Sequence, residues 1–213
     1  MMDLDFGLFA SAFALGFFIA MPVGPISLLI LKRTVAEGVP VGVATGLGAA
    51  TADALYAACA AFGLSAVTAV LVDEARLLGL IGGATLVWLG IGGIRAAGRR
   101  IALPEAAAAA PARGAVLPAY VSAVGLTLTN PLTIISFAGA FAGIGLAAAG
   151  GALAAGTTVV GLALGSAIWQ LTIVAAAGGA RRFLRPRLLA AIDRLSGLVL
   201  IGFGVSALLR AAL

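Results

Sequence analysis

The chain has 213 residues, of which 62% are hydrophobic and 10% charged, and its mean hydropathy is +1.19. Soluble domains are about half apolar at most, so this composition excludes an ordinary soluble globule and points to an all-α polytopic membrane protein. The formal charge of +5 is what basic cytoplasmic loops leave behind and implies no nucleic-acid partner, while a single cysteine and no histidine exclude a thiol relay, a thiolate or histidine metal centre and any catalytic set built on histidine.

Six membrane segments are expected, at roughly 6–31, 41–63, 76–95, 115–144, 152–177 and 190–210. Asp3 and Asp5 stand where a cleaved signal peptide would carry basic residues, so the first segment reads as a membrane span. It is interrupted by MPVGP at 21–25. Proline removes a backbone donor and clashes with the preceding turn, yet it suits the first position of a new helix, with glycine or asparagine as the cap before it. Gly24-Pro25 therefore reads as a helix restart within the membrane, with Ser27 in its first turn.

In the second segment Gly42, Gly46, Ala49, Ala50, Asp53 and Ala57 share one helical face. Such a stripe permits close packing, expected here against a broken helix. Asp53 is the one acid at mid-span, about 18 Å along the segment at 1.5 Å per residue. An ionised acid there costs on the order of 3 kcal/mol. It must face the bundle interior, where it is placed to exchange a proton or to hold a substrate ammonium. Tyr56 lies one turn beyond and is a second candidate for the cavity wall.

The third segment runs between Arg76 and Arg95, and residues 96–113, rich in alanine with Pro104 and Pro111, read as a cytoplasmic linker. Residues 114–180 hold no charge, which suits two spans joined by a Gly/Ala hairpin at 145–156. The fourth segment is broken at LTNPLT, 128–133. Asn130-Pro131 is a second cap and restart, with Thr133 in the place of Ser27. On the fifth segment Ser166 and Gln170 stand one turn apart as possible cavity residues. Trp88 and Trp169 read as packing or interfacial residues.

Lys32 and Arg33 follow the first segment, Arg95, Arg99, Arg100 and Arg113 the third, and Arg181, Arg182, Arg185, Arg187 and Arg194 the fifth, while the opposite side has only Arg76 and Arg210. Positive loops stay inside, so both termini are expected outside. The two breaks align: GPISLL (24–29) over NPLTII (130–135), each followed by a Gly-rich segment. Three spans per half is odd, so the second half inserts upside down. The expected architecture is a single transmembrane domain of two inverted three-helix repeats, 1–95 and 114–213. Each restart exposes unpaired N–H groups and the positive end of a helix dipole, which suit an anion such as a carboxylate.

MPVGPISLLILKRTVAEGVPVGVATGLGAATADALYAACAAFGL (21–64) resembles the N-terminal signature of the lysine exporter (LysE) family, LTNPLTIISFAGAFAGIG (128–145) its fourth span and DRLSGLVLIGFGVSAL (193–208) its last. The resemblance implies an inner-membrane exporter of amino acids or similar small metabolites, driven by proton antiport. It carries over Gly24, Pro25, Asp53, Asn130 and Pro131 as motif residues. Ile26-Ser27 departs from the family's pattern, in which asparagine often follows Gly-Pro, and this weakens a basic amino acid as substrate. The expected partners are a small zwitterion, protons and the lipid bilayer, with a homodimer possible through the Gly-rich faces. No cofactor or metal is expected, and no nucleotide-binding loop or other enzymatic motif is present. Two other readings stand beside this one: a metal-cation exporter of the wider superfamily and a non-transporting assembly protein.

Overall fold

The structure, a computed structural model, describes residues 6–22, 24–62, 74–102, 115–130, 133–134, 136–137, 151–181 and 186–212. Among these residues there are seven helices of appreciable length and no strand. They are α1 (Phe6–Ala20), α2 (Pro25–Glu37), α3 (Val39–Ala61), α4 (Ala75–Ala102), α5 (Val116–Leu128), α6 (Gly151–Arg181) and α7 (Pro186–Ala212). Three helices contain stretches long and apolar enough to cross a membrane, at Val39–Ala61, Gly151–Ala180 and Ala190–Ala212. Large apolar side chains such as Phe18, Leu55, Trp88, Leu117, Ile168 and Leu198 lie exposed on the outside of the bundle. That pattern suits hydrocarbon as the surrounding solvent.

The first predicted segment is two helices. α1 has 15 residues and α2 has 13, so they rise only about 22 Å and 20 Å, and neither spans the roughly 30 Å hydrocarbon core alone. Their axes differ by 78°. The restart has the form expected at a Gly-Pro pair: Gly24 is extended, Pro25 opens the helix, and the Leu28 N–H donates to the Gly24 carbonyl at 3.1 Å. α2 ends at Gly38, whose φ of 111° is a left-handed conformation that favours glycine, and Pro40 opens the first turn of α3.

α2 does not end at Leu31. It continues to Glu37, so Lys32 and Arg33 are helical and buried instead of lying in a loop. The reason is local: residues 26–37 hold no glycine or proline, so nothing in the chain stops the helix before Gly38. α2 lies at the centre of the bundle. Its Ile26, Leu29 and Ile30 form one cluster with Ala49 of α3, Leu86 of α4, Leu126 of α5, Val174 of α6 and Leu200 of α7.

α4 extends beyond the predicted span, so 96–102 belong to a helix and not to the linker. The rest of the linker, 103–113, and the centre of the Gly/Ala hairpin, 145–150, lie outside the described residues. α5 stops at Leu128 after 13 residues, well short of the predicted 144. Helical residues follow Asn130 at 133–134 and 136–137. The Ile134 N–H donates to the Asn130 carbonyl at 3.1 Å, the same bond as Leu28 to Gly24.

Glycine sets the closest helix pairs. A Cβ on Gly83 would come within 2.8 Å of the Gly204 carbonyl, and one on Gly204 within 2.6 Å of the Gly83 carbonyl. Gly90 and Gly197 meet in the same reciprocal way, at 2.5 and 2.7 Å. α4 and α7 thus cross backbone to backbone. α1 lies against α6, where Gly161 faces the Phe9 carbonyl, and α5 lies against α3, where Gly48 faces the Tyr120 carbonyl. α3 also packs on α6.

Candidate functional site

The end of α1, the start of α2, the middle of α3, the end of α5 with its restart, and the middle of α6 surround one cavity of about 120 Å³. Its wall includes Gly24, Pro25, Ile26 and Ser27 from the first break, and Thr127, Asn130, Thr133 and Ser136 from the second. Asp53 and Ala49 come from α3, and Gln170 from α6. Ile19, Ala20 and Pro22 complete it. The two breaks and the mid-span acid, more than 100 residues apart in the chain at their extremes, thus meet at one place.

The Gly stripe of α3 explains how. Gly42 faces Thr34 of α2 so closely that a Cβ there would clash with the threonine hydroxyl. Gly46 faces α6, where a Cβ would stand 3.2 Å from the Gln170 Cβ. The stripe therefore packs against the broken helix at Gly42, as expected, but against α6 one turn later. Ala49 and Asp53, one and two turns further on, reach the cavity.

Asp53 is 4% exposed. Its Oδ2 accepts a hydrogen bond of 2.6 Å from Ser166 Oγ, a length typical of a charge-assisted O–H···O contact. Ser166 does not line the cavity, contrary to expectation; it is fully buried behind Asp53 and holds the carboxylate in place. Gln170, one turn along α6 from Ser166, does line it.

Tyr56 does not line the cavity either. Its hydroxyl donates to the Leu128 carbonyl at 2.7 Å, and its ring stacks on Phe137 at a centroid distance of 5.3 Å. The carbonyls at the end of α5 have no helical partner, so Tyr56 closes the second break from outside the cavity. Pro131 lies outside the described residues. The remaining named candidates, Gly24, Pro25, Ser27, Asn130 and Thr133, all stand on the wall. Thr127 and Ser136 were not singled out from sequence. Thr127 lies one turn before Asn130, and Ser136 follows Thr133 by one helical turn, so the spacing was the signal.

A second polar group, not foreseen from the sequence, is built on Lys32 and Arg33 of α2. Arg33 donates to the Ala119 carbonyl at 3.1 Å and to Ser122 Oγ at 3.0 Å on α5, and to Thr45 Oγ1 at 3.3 Å on α3. Lys32 Nζ donates to the Leu89 carbonyl of α4 at 3.3 Å. These two residues tie α2 to three other helices.

Several apolar spans around a broken central helix, with a small cavity at the break that holds Asp53 and several polar side chains, define a polytopic membrane protein. A family model described as LysE type translocator matches residues 17–211, and the chain belongs to that family. It is 28% identical over 201 residues to a protein of Bacillus subtilis (strain 168) named "Putative amino acid efflux protein YcgF", an alignment covering 92% of this chain and 93% of that one. It is 33% identical over 122 residues, 56% of each chain, to "Uncharacterized membrane protein PA4757" of Pseudomonas aeruginosa. No solved structure matches the chain.

Proposed function

We propose that this chain exports amino acids or similar small metabolites across the bacterial inner membrane by alternating access, in exchange for protons. The observation that carries the reading is the meeting of both helix restarts and Asp53 on one cavity. A substrate carboxylate would take the N–H groups at the start of α2 and at the Asn130 restart, with the hydroxyls of Ser27 and Thr133 beside them. The ammonium would take Asp53. Once the ammonium leaves, a proton replaces it on the same carboxylate, and this alternation couples the two fluxes. A non-transporting assembly role gives no use to a cavity that gathers both breaks and Asp53, and among the described residues a metal ion would find there a single charged ligand.

The reading includes six spans in two inverted repeats, with both termini outside. The packing supports it. Exchanging the halves maps the contact of α1 with α6 onto that of α5 with α3, and maps the α3–α6 and α4–α7 contacts onto themselves. The bond from Leu28 to Gly24 and that from Ile134 to Asn130 match in the same exchange.

Purified protein in proteoliposomes loaded with single amino acids tests the reading. Efflux of at least one amino acid, accelerated by an opposing proton gradient, is expected. Efflux no faster than from protein-free vesicles across the whole panel would refute it.

A further inference from the structure

Among the described residues, two polar atoms of cavity-wall residues are buried without a hydrogen-bond partner: Oε1 of Gln170, a residue 4% exposed, and Oγ1 of Thr127, 3% exposed. Leaving such an atom unpaired is destabilising, so each calls for a group supplied from the cavity. Thr127 is unusual among its kind. Thr34, Thr45, Thr51, Thr85, Thr129, Thr157, Thr158 and Thr172 each donate their hydroxyl to the carbonyl four residues back. Thr127, inside α5, does not.

Gln170 is held beside Asp53 by its neighbours. Ser166, one turn earlier on α6, binds the Asp53 carboxylate, and Gly46 makes room for the Gln170 stem. Asp53 and Gln170 Oε1 are both acceptors, which is the complement of an ammonium group. No second charged side chain lines the cavity among the described residues, and much of the remaining wall is apolar: Ile19, Ala20, Ile26 and Ala49. A long basic side chain would have no partner. A long aliphatic one would have little room, since a cavity of about 150 Å³ is filled by benzene and this one is about 120 Å³.

We propose that Gln170 and Thr127 are substrate-binding residues that select a compact neutral amino acid, of the size of alanine or serine. Gln170 shares the ammonium with Asp53. Thr127 meets a side-chain hydroxyl, so serine is favoured over alanine, which would leave the threonine oxygen unpaired. This assignment rests on the transport reading above.

The test uses proteoliposomes loaded with radiolabelled serine, alanine, leucine or lysine. Serine should leave fastest and alanine next, with leucine and lysine at a tenth of the serine rate or less. Gln170→Leu should lower efflux of both small amino acids at least tenfold, and Thr127→Val should lower serine efflux more than alanine efflux. In detergent, serine should raise the unfolding temperature of the unsubstituted protein and leucine and lysine should not, a readout independent of how the variants fold. Leucine or lysine leaving as fast as serine, or an unchanged serine-to-alanine ratio in Thr127→Val, overturns the assignment while export itself stands. If no amino acid of the full panel leaves, both readings fall.

Discussion

Asp53 brings the negative charge to the cavity, and its surroundings set what it can do. Ser166 Oγ is its hydrogen-bond donor at 2.6 Å. Ser166→Ala removes that bond and leaves a buried carboxyl without it, a loss of about 1–3 kcal/mol. The unfolding temperature in detergent should fall accordingly, and Ser166→Cys, which keeps a weak donor, should fall less. Tyr56 makes a different prediction. Tyr56→Phe loses the bond to the Leu128 carbonyl, worth about 1 kcal/mol, but removes nothing from the cavity wall. It should lower stability slightly and leave the apparent KM for substrate unchanged; a raised KM would return Tyr56 to the wall. Asp53 was legible in the sequence because an acid in the middle of an apolar run is costly anywhere but inside. Tyr56 and Ser166 were not assigned correctly because helical spacing gives a face, not a partner. The face of Tyr56 is that of the break in another helix, and no periodicity within α3 reports where α5 ends.

Among the elements α2 departs most from expectation. MPVGP reads as a helix restart, and Gly24-Pro25 is one. What the sequence concealed is the far end. Lys32 and Arg33 looked like loop charges because basic residues after a span usually are. Here they sit in a short helix whose neighbours offer them oxygens, α4 to Lys32 and α3 and α5 to Arg33. Only the tertiary arrangement shows this, since none of the accepting carbonyls lies near them in the chain. Arg33 reaches three acceptors on two helices with its planar fork. Lysine cannot reproduce that. Arg33→Lys should therefore lower the unfolding temperature, by on the order of 2 kcal/mol in stability for the lost charged hydrogen bonds. Arg95→Lys, at an exposed position on α4, should change it little. Equal effects at the two sites would contradict a structural role for the Arg33 network.

In the proposed architecture the two halves fold alike and insert oppositely. The α4–α7 contact gives a stability test: Gly90→Ala places a methyl 2.5 Å from the Gly197 carbonyl, whereas Gly202→Ala on α7 meets nothing within 4 Å. The first should destabilise the protein, and the second should be neutral or stabilising by about 0.5–1 kcal/mol through helix propensity. Insertion itself is tested by labelling. With Cys59 replaced by Ala, cysteines placed at Asp3 and at Glu105 should react with an impermeant maleimide from opposite sides of the membrane; labelling from the same side excludes the odd number of spans between them. The two breaks were legible in the sequence because each pairs a capping residue with proline, while the partner of each helix was not, since Gly-rich faces fit many neighbours. Efflux from proteoliposomes with and without an opposing proton gradient, for the unsubstituted protein and for Asp53→Asn, tests proton coupling at Asp53 most directly. The gradient should accelerate efflux by the unsubstituted protein and have no effect on the variant, whereas gradient-driven efflux through Asp53→Asn at the original rate would contradict a shared site for substrate and proton at Asp53.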